Sequence, residues 1–293
     1  MTELRDLVAE ELSLPVDPRV AAMAGAIAAK HGAASRAVLF YGSCLRQQQL
    51  DGQMLDFYLI VSDYRSAYDK RWLALANRLI PPNVFYFEHD GLAAKYAVLN
   101  EADFWHECSL DAWTVSTAAR FAQPSRLVWN ADQRATNSIV DSVAAAAPSL
   151  LTWTMTAMSD WSTLDLWRVA FANTFKAELR AERADRSAQI VEADLERYAR
   201  FGEAAFDHVP GERPEGIDEG RAWWRRKQLK GKLYSVLRLA KASFTFAGGA
   251  DYIAWKINRH AGTKIELKPW QRRHPLLAAI SLLPRLLKSG AVR

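Results

Sequence analysis

The sequence predicts an α/β chain, with a mixed sheet in its first 135 residues and a mainly helical part after them. Three observations point that way. Two apolar runs, residues 37–41 and 54–61, read as buried strands, and a Gly-Ser turn with a short helical stretch lies between them. Further strand-like runs at 84–88 and 95–99 alternate with helical spacing. Beyond about Ala135 strand signals become scarce. We therefore expect one domain over 1–135 and a mainly helical one over 136–293, with residues 144–149 (AAAAPS) as the joint.

Taken in order, residues 18–30 read as an Ala-rich helix ended by His31-Gly32. Residues 66–79 have helical apolar spacing, with Trp72, Leu73, Leu75 and Leu79 toward one side, and Pro81-Pro82-Asn83 stops them. Helices are expected at 101–108 and 110–121, and a short strand at 127–129. Residues 163–205 read as one or two long helices and 208–220 as a loop. A basic helix follows, with Leu229, Leu233, Val236, Leu237 and Ala240 on its apolar side. Near the end, Trp270, Arg272 and Arg273 precede the apolar stretch 276–287, which Pro284 interrupts.

Half of the 293 residues are hydrophobic, which supports a sizeable core and excludes global disorder. The two cysteines, Cys44 and Cys108, form neither a disulfide framework nor a zinc pattern, so a reducing cytoplasm is expected. Residues 1–12 are acidic and lack the apolar core of a signal peptide. No apolar run approaches the roughly 20 residues that span a bilayer. The net charge of +5 conceals a division: residues 221–293 hold 17 basic and 2 acidic side chains, and the rest of the chain holds 21 basic and 31 acidic ones. Such a division suggests that the C-terminal part meets a polyanion, either nucleic acid or an anionic membrane surface. No His or Cys pair, GxSxG or GxGxxG supports zinc, acyl-serine or dinucleotide chemistry.

Candidate chemistry concentrates at residues 38–61. A triphosphate needs close-approaching backbone donors, which Gly42 permits, and Ser43 adds a hydroxyl. Asp56 interrupts an apolar strand, and a bound cation is the usual compensation for a buried acid at a phosphate site. Strand, Gly-Ser turn, helix and Asp-bearing strand are the outline of the nucleotidyltransferase fold; the alternative is an ordinary β-turn-α-β unit. Two-metal transfer normally needs a second carboxylate at i+2, where this chain has Tyr58. Glu88 could supply it, while Asp51 and Asp63 are weaker candidates in loops.

Four blocks resemble the mitochondrial-type phosphatidate cytidylyltransferases, also called the translocator assembly and maintenance protein family. The family's YGSG-hydrophobic-x-x-Q is similar to Tyr41-Gly42-Ser43-Cys44-Leu45-Arg46-Gln47-Gln48, and its MLDF-x-hydrophobic-x-V to residues 54–61. Its KYG-V-V resembles residues 95–99, and its AGRL-x-KP resembles residues 118–124. That family also lacks the second Asp at i+2. The likeness covers residues 36–125; later, Glu178-Leu179-Arg180 resembles an acid-x-Arg signature on a helix. Cys44, Ala97 and Ala119 replace glycines and Gln123 replaces a lysine, departures that bear on substrate choice.

The resemblance implies a divergent bacterial member that makes CDP-diacylglycerol and pyrophosphate from CTP and phosphatidic acid, a step of phospholipid biosynthesis. It implies Asp56, Ser43 and Lys95 as catalytic residues, and Tyr41, Gly42, Ser43, Gln48 and Arg120 as nucleotide-binding ones. Asp56 would hold magnesium, with manganese an alternative and Glu88 a weaker second ligand. Lys176 and Arg180 are candidates for the lipid-phosphate pocket. The basic segment 221–293 would meet an anionic membrane surface, giving a peripheral enzyme on its cytoplasmic face. Nucleic acid is not expected as a partner, and the oligomeric state stays open. The competing classes are a nucleotidyltransferase acting on a small molecule or RNA, and a non-catalytic scaffold.

Overall fold

A computed structural model describes residues 2–47, 50–178, 185–207, 216–245, 254, 258 and 266–273. The first helix, α1 (Thr2–Ser13), and α2 (Pro18–His31) lead through a short 3-10 turn into β1 (Ser35–Tyr41). Asp17 caps α2 by accepting from the Arg19 N–H, and Pro18 stands where no helical N–H is needed. Next come α3 (Ser43–Gln47), β2 (Met54–Val61), α4 (Tyr64–Ala67), α5 (Arg71–Leu79), β3 (Asn83–His89) and β4 (Leu92–Asn100). Then α6 (Glu101–Cys108) and α7 (Ser116–Phe121) precede the last strand, β5 (Ser125–Asn130). Helices α8 (Gln133–Ala144), α9 (Ala146–Met155), α10 (Thr163–Ala177), α11 (Asp185–Glu192), α12 (Leu195–Phe206), α13 (Ile217–Thr245) and α14 (Pro269–Arg273) follow.

The strands form one mixed sheet in the order β3-β4-β2-β1-β5. Only β2 and β4 run parallel; the other pairs are antiparallel. Because strand side chains alternate, the sheet has two distinct faces. One buries Val38, Phe40, Phe57, Leu59, Tyr96 and Val98 against Met23, Ala24 and Ile27 of α2. The other buries Leu39, Tyr58, Ile60 and Leu99. On that second face the apolar layer runs without a break from the sheet into Trp167 and Phe171 of α10, Tyr198 of α12 and Trp224 of α13. Asp56 belongs to the second face, two residues before Tyr58.

Several elements differ from the sequence expectation. Residues 66–79 do not form one helix but two, α4 and α5, and the expected apolar side of α5 faces outward, with Trp72, Leu75 and Leu79 exposed. Ala74 and Asn77 face inward instead, because Asn77 Nδ2 satisfies the Val98 carbonyl at 2.9 Å. The 110–121 helix shrinks to α7, and 163–205 becomes three helices. The joint at 144–149 is the single residue Ala145, with Pro148 in the first turn of α9.

The largest difference is in α13. A strict four-three stripe, Gly220, Trp224, Lys227, Gly231, Tyr234, Arg238 and Lys241, turns toward the protein. Gly220 and Gly231 allow the close approach. A Cβ at Gly220 would sit 2.5 Å from Thr156 Oγ1, and one at Gly231 would lie inside contact distance of the Ala177 carbonyl. Leu229, Leu233, Val236 and Leu237, on the expected apolar side, are exposed. The apolar stretch 276–287 lies outside the described residues.

Candidate active site

The strand ladder builds one lateral row across the sheet. Tyr86 pairs with Lys95, Lys95 with Asp56, Asp56 with Tyr41, and Tyr41 with Ser125. Cross-strand partners share a face, so these five polar side chains share the face that the later helices cover. Lys95 Nζ stands 3.0 Å from Asp56 Oδ1; the two side chains are 32% and 17% exposed. The pair is therefore partly shielded yet still open to a solute.

The Gly-Ser turn comes to this carboxylate. Gly42 has φ +95°, a conformation that L side chains rarely adopt. A Cβ there would stand 3.0 Å from Asp56 Oδ2, so glycine is required by both strain and space. Ser43 opens α3 directly after it. Cys44, at one of the glycine positions of the resembling family, is buried and its thiol donates to the Met54 carbonyl at 3.5 Å. The side chain thus fills the core behind the turn.

Arg120 joins from α7. Its guanidinium makes an ion pair with Glu178 Oε1 at 3.0 Å, and Ser116 also donates to that oxygen. Burial opposes the charge of Arg120, but Glu178, Tyr58 and Tyr41 outweigh it and hold it well above the ordinary arginine range. Burial pushes the Tyr41 hydroxyl well up; Asp56 and Tyr58 add to the rise and Arg120 opposes it. Tyr41 therefore stays neutral and couples the acid to the guanidinium. Beneath them the rings of Tyr41 and Tyr58 stand 5.4 Å apart, and Phe121 packs on both.

The structure thus brings together Tyr41, Gly42, Ser43, Asp56, Lys95 and Arg120. It does not bring Glu88 to Asp56. Glu88 is two strands away and two residues further along, roughly 12 Å between Cα atoms by strand geometry, and it is exposed and accepts from Tyr86. Gln48 and Arg180 lie outside the described residues, and Lys176 is an exposed side chain of α10. Gln123 accepts from Arg46 Nη1 at 3.0 Å and donates to the Ala119 carbonyl, so this position serves the local frame. Glu178 sits just past the end of α10, not on it.

Magnesium typically takes one or two carboxylates and completes its octahedron with phosphate oxygens and water. Asp56 suits that demand, with Oδ1 held by Lys95 and Oδ2 turned to the Gly42 bend. Among the described residues no group of three or more His, Cys, Asp or Glu gathers as a metal site, at Asp56 or elsewhere.

Sequence reasoning missed Arg238, which α13 carries to within electrostatic range of Tyr58, Arg120 and Glu178. The four-three stripe of α13 was the available signal. No family model and no curated protein matches this chain.

Proposed function

We propose that this protein is a metal-dependent nucleotidyltransferase that transfers CMP from CTP to phosphatidic acid at a membrane surface, releasing pyrophosphate. One observation carries the reading: a single carboxylate, Asp56, is held by Lys95 on one side and meets the positive-φ Gly42 bend on the other. The four sequence blocks that resemble the cytidylyltransferase family contain these same residues. Magnesium on Asp56 would supply Lewis-acid stabilisation of the triphosphate. Gly42 would leave room for phosphate oxygens at the backbone, and the Ser43 hydroxyl would donate to them. Lys95 fixes the orientation of Asp56 and offers its ammonium to charge that develops on the phosphates. Arg120, kept charged by Glu178, can grip two oxygens at once.

Exposed leucines on α13 favour a lipid acceptor over RNA. Leu229, Leu233, Val236 and Leu237 are exposed beside the exposed cations Arg221, Arg225, Arg226, Lys230 and Lys232. Cations alone would serve a nucleic acid, whereas the exposed leucines among them suit an anionic lipid surface. Among the described residues no helix is long and apolar enough to cross a membrane, which accords with docking at a surface.

Incorporation of labelled CTP into lipid, with wild type and Asp56→Ala, tests the reading. A loss of roughly a hundredfold or more is expected for the variant. Equal activity would eliminate the assigned site. Flotation with anionic liposomes against RNA retention at matched salt decides the acceptor class.

A further inference from the structure

Two helices of this chain leave apolar rows in water. On α5 Trp72, Leu75 and Leu79, spaced three and four apart, share one side and are 46%, 57% and 63% exposed. On α13 Leu229, Leu233 and Leu237, each four apart, make a second exposed row, and Val236 widens it. Apolar side chains scattered singly over a surface are ordinary, whereas ordered rows on neighbouring elements mark a contact.

The two rows converge. One more step of four from Leu237 reaches Lys241, whose Nζ donates to the Pro82 carbonyl at 2.7 Å and also to that of Ile80. Arg238, next to Leu237, donates through Nε to the Pro81 carbonyl at 2.7 Å. Ile80 directly follows Leu79, the last member of the α5 row. The seam at residues 80–82 therefore joins the end of one row to the end of the other.

Charge indicates what covers this face. Segments 70–80 and 220–245 contain no acid. Arg71 and Arg78 are exposed beside the α5 row. On α13 helical spacing puts Arg225 and Lys232 on one side of the leucines and Arg226 and Lys230 on the other, all of them exposed. Apolar side chains flanked by cations match the acyl and headgroup layers of an anionic bilayer. A second copy of the chain would set cation against cation in a two-fold contact. A nucleic acid would leave the leucines without a role.

We propose that the exposed rows of α5 and α13 form one docking face for an anionic lipid bilayer, joined at residues 80–82. This face rests on the membrane-surface reading above and extends it to α5, so the sheet region touches the lipid itself and does not hang from its helical part alone. Tyr86, in the strand row of Asp56, lies four residues past Pro82, roughly 13 Å along the strand. Docking here brings the candidate site close to the headgroups.

The test uses the full chain with a cysteine introduced by Leu75→Cys or Leu233→Cys and labelled with a polarity-sensitive fluorophore; the native Cys44 and Cys108 are buried. On mixed phosphatidylcholine and phosphatidylglycerol vesicles both labels should shift to the blue together, and far less on phosphatidylcholine alone. Trp72→Ala combined with Leu75→Ala should weaken flotation with the anionic vesicles roughly tenfold, the scale of burying such side chains. Arg71→Gln combined with Arg78→Gln should weaken it too and reduce its salt dependence. Trp105→Ala, on an equally exposed tryptophan of α6, should change nothing. Wild type that does not float, a blue shift at Leu233→Cys without one at Leu75→Cys, or unchanged flotation in the folded α5 variants overturns the shared face. A label at Leu75→Cys that is already in an apolar setting without vesicles, or a dimer that the α5 substitutions dissolve, would place protein on the face and overturn it as well. Asp56→Ala should float as wild type does. Transfer to phosphatidic acid dispersed in detergent should be unchanged in the α5 variants, so failure of the docking face and failure of the nucleotidyltransferase reading give different results.

Discussion

Helices α2 and α13 solve the same packing problem in opposite ways. Both cover a face of the fold, and both carry a clear apolar stripe in sequence. In α2 that stripe, Val20, Met23, Ala24 and Ile27, goes into the core and the polar residues stay in water. In α13 the leucines stay out with five of the cations, and glycine, Trp224 and the cations Lys227, Arg238 and Lys241 go in. The difference teaches that an apolar stripe alone does not locate a buried face. In α13 the inward side is set by close approach at Gly220 and Gly231 and by side-chain hydrogen bonds such as Arg238 Nε to the Pro81 carbonyl.

Truncating each leucine-like face measures the contrast most strongly. Met23→Ala should cost roughly 2–5 kcal/mol in urea unfolding, the range for a fully buried aliphatic side chain. Leu233→Ala should stay within about 0.5 kcal/mol, as for an exposed position. Equal costs would mean that the Leu233 face is packed in solution, and the comparison would fail.

Glycines give the next effect. Gly231→Ala puts a methyl against the Ala177 carbonyl and should cost about 1–3 kcal/mol by overpacking. Gly25→Ala on α2 meets nothing within 4 Å and should stabilise by roughly 0.5–1 kcal/mol. Opposite signs in one denaturation series would sharpen the distinction between a contact glycine and a spare one.

A further contrast is in pH, with a slope of at most about 1.4 kcal/mol per pH unit for one proton. Burial holds His31, the last residue of α2, below its ordinary pKa of 6.5, with the Ala67 carbonyl opposing. As pH falls through that value the unfolded chain takes a proton that folded His31 refuses, so stability falls; His31→Gln should flatten the limb. Burial, with Arg238 adding, brings Lys241 on α13 down to about 7. Between there and its ordinary 10.5 the unfolded chain again binds the extra proton, so stability rises with pH, and Lys241→Met should remove that slope. The two helices thus titrate in separate windows.

Much of the candidate site was legible because its parts are local. A strand, a glycine bend and an acid in the next strand follow one another within 16 residues, Tyr41 to Asp56, and pairing alone brings them together. Lys95 is equally readable, since the parallel register of β2 and β4 sets it beside Asp56. Arg120's partner Glu178 and the arrival of Arg238 were not, because they depend on how α7, α10 and α13 stack, which no short-range spacing encodes. On α5 and α13 the apolar side was legible but not which way it faces, because Asn77, Gly220 and Gly231 hold the inward places by hydrogen bonding and by size.

Arg197 of α12 grips Glu11 of α1, with Nη2 to Oε1 at 2.9 Å, across 186 positions of chain. Leu4, Val8 and Leu12 on the same helix are covered in the finished fold partly by segments the ribosome makes much later. Part of the apolar side of α1 therefore stays uncovered until α12, 186 positions further along at this ion pair, has emerged. Long-range closure of this kind slows folding, and it makes α1 a natural place for a chaperone to hold the nascent chain.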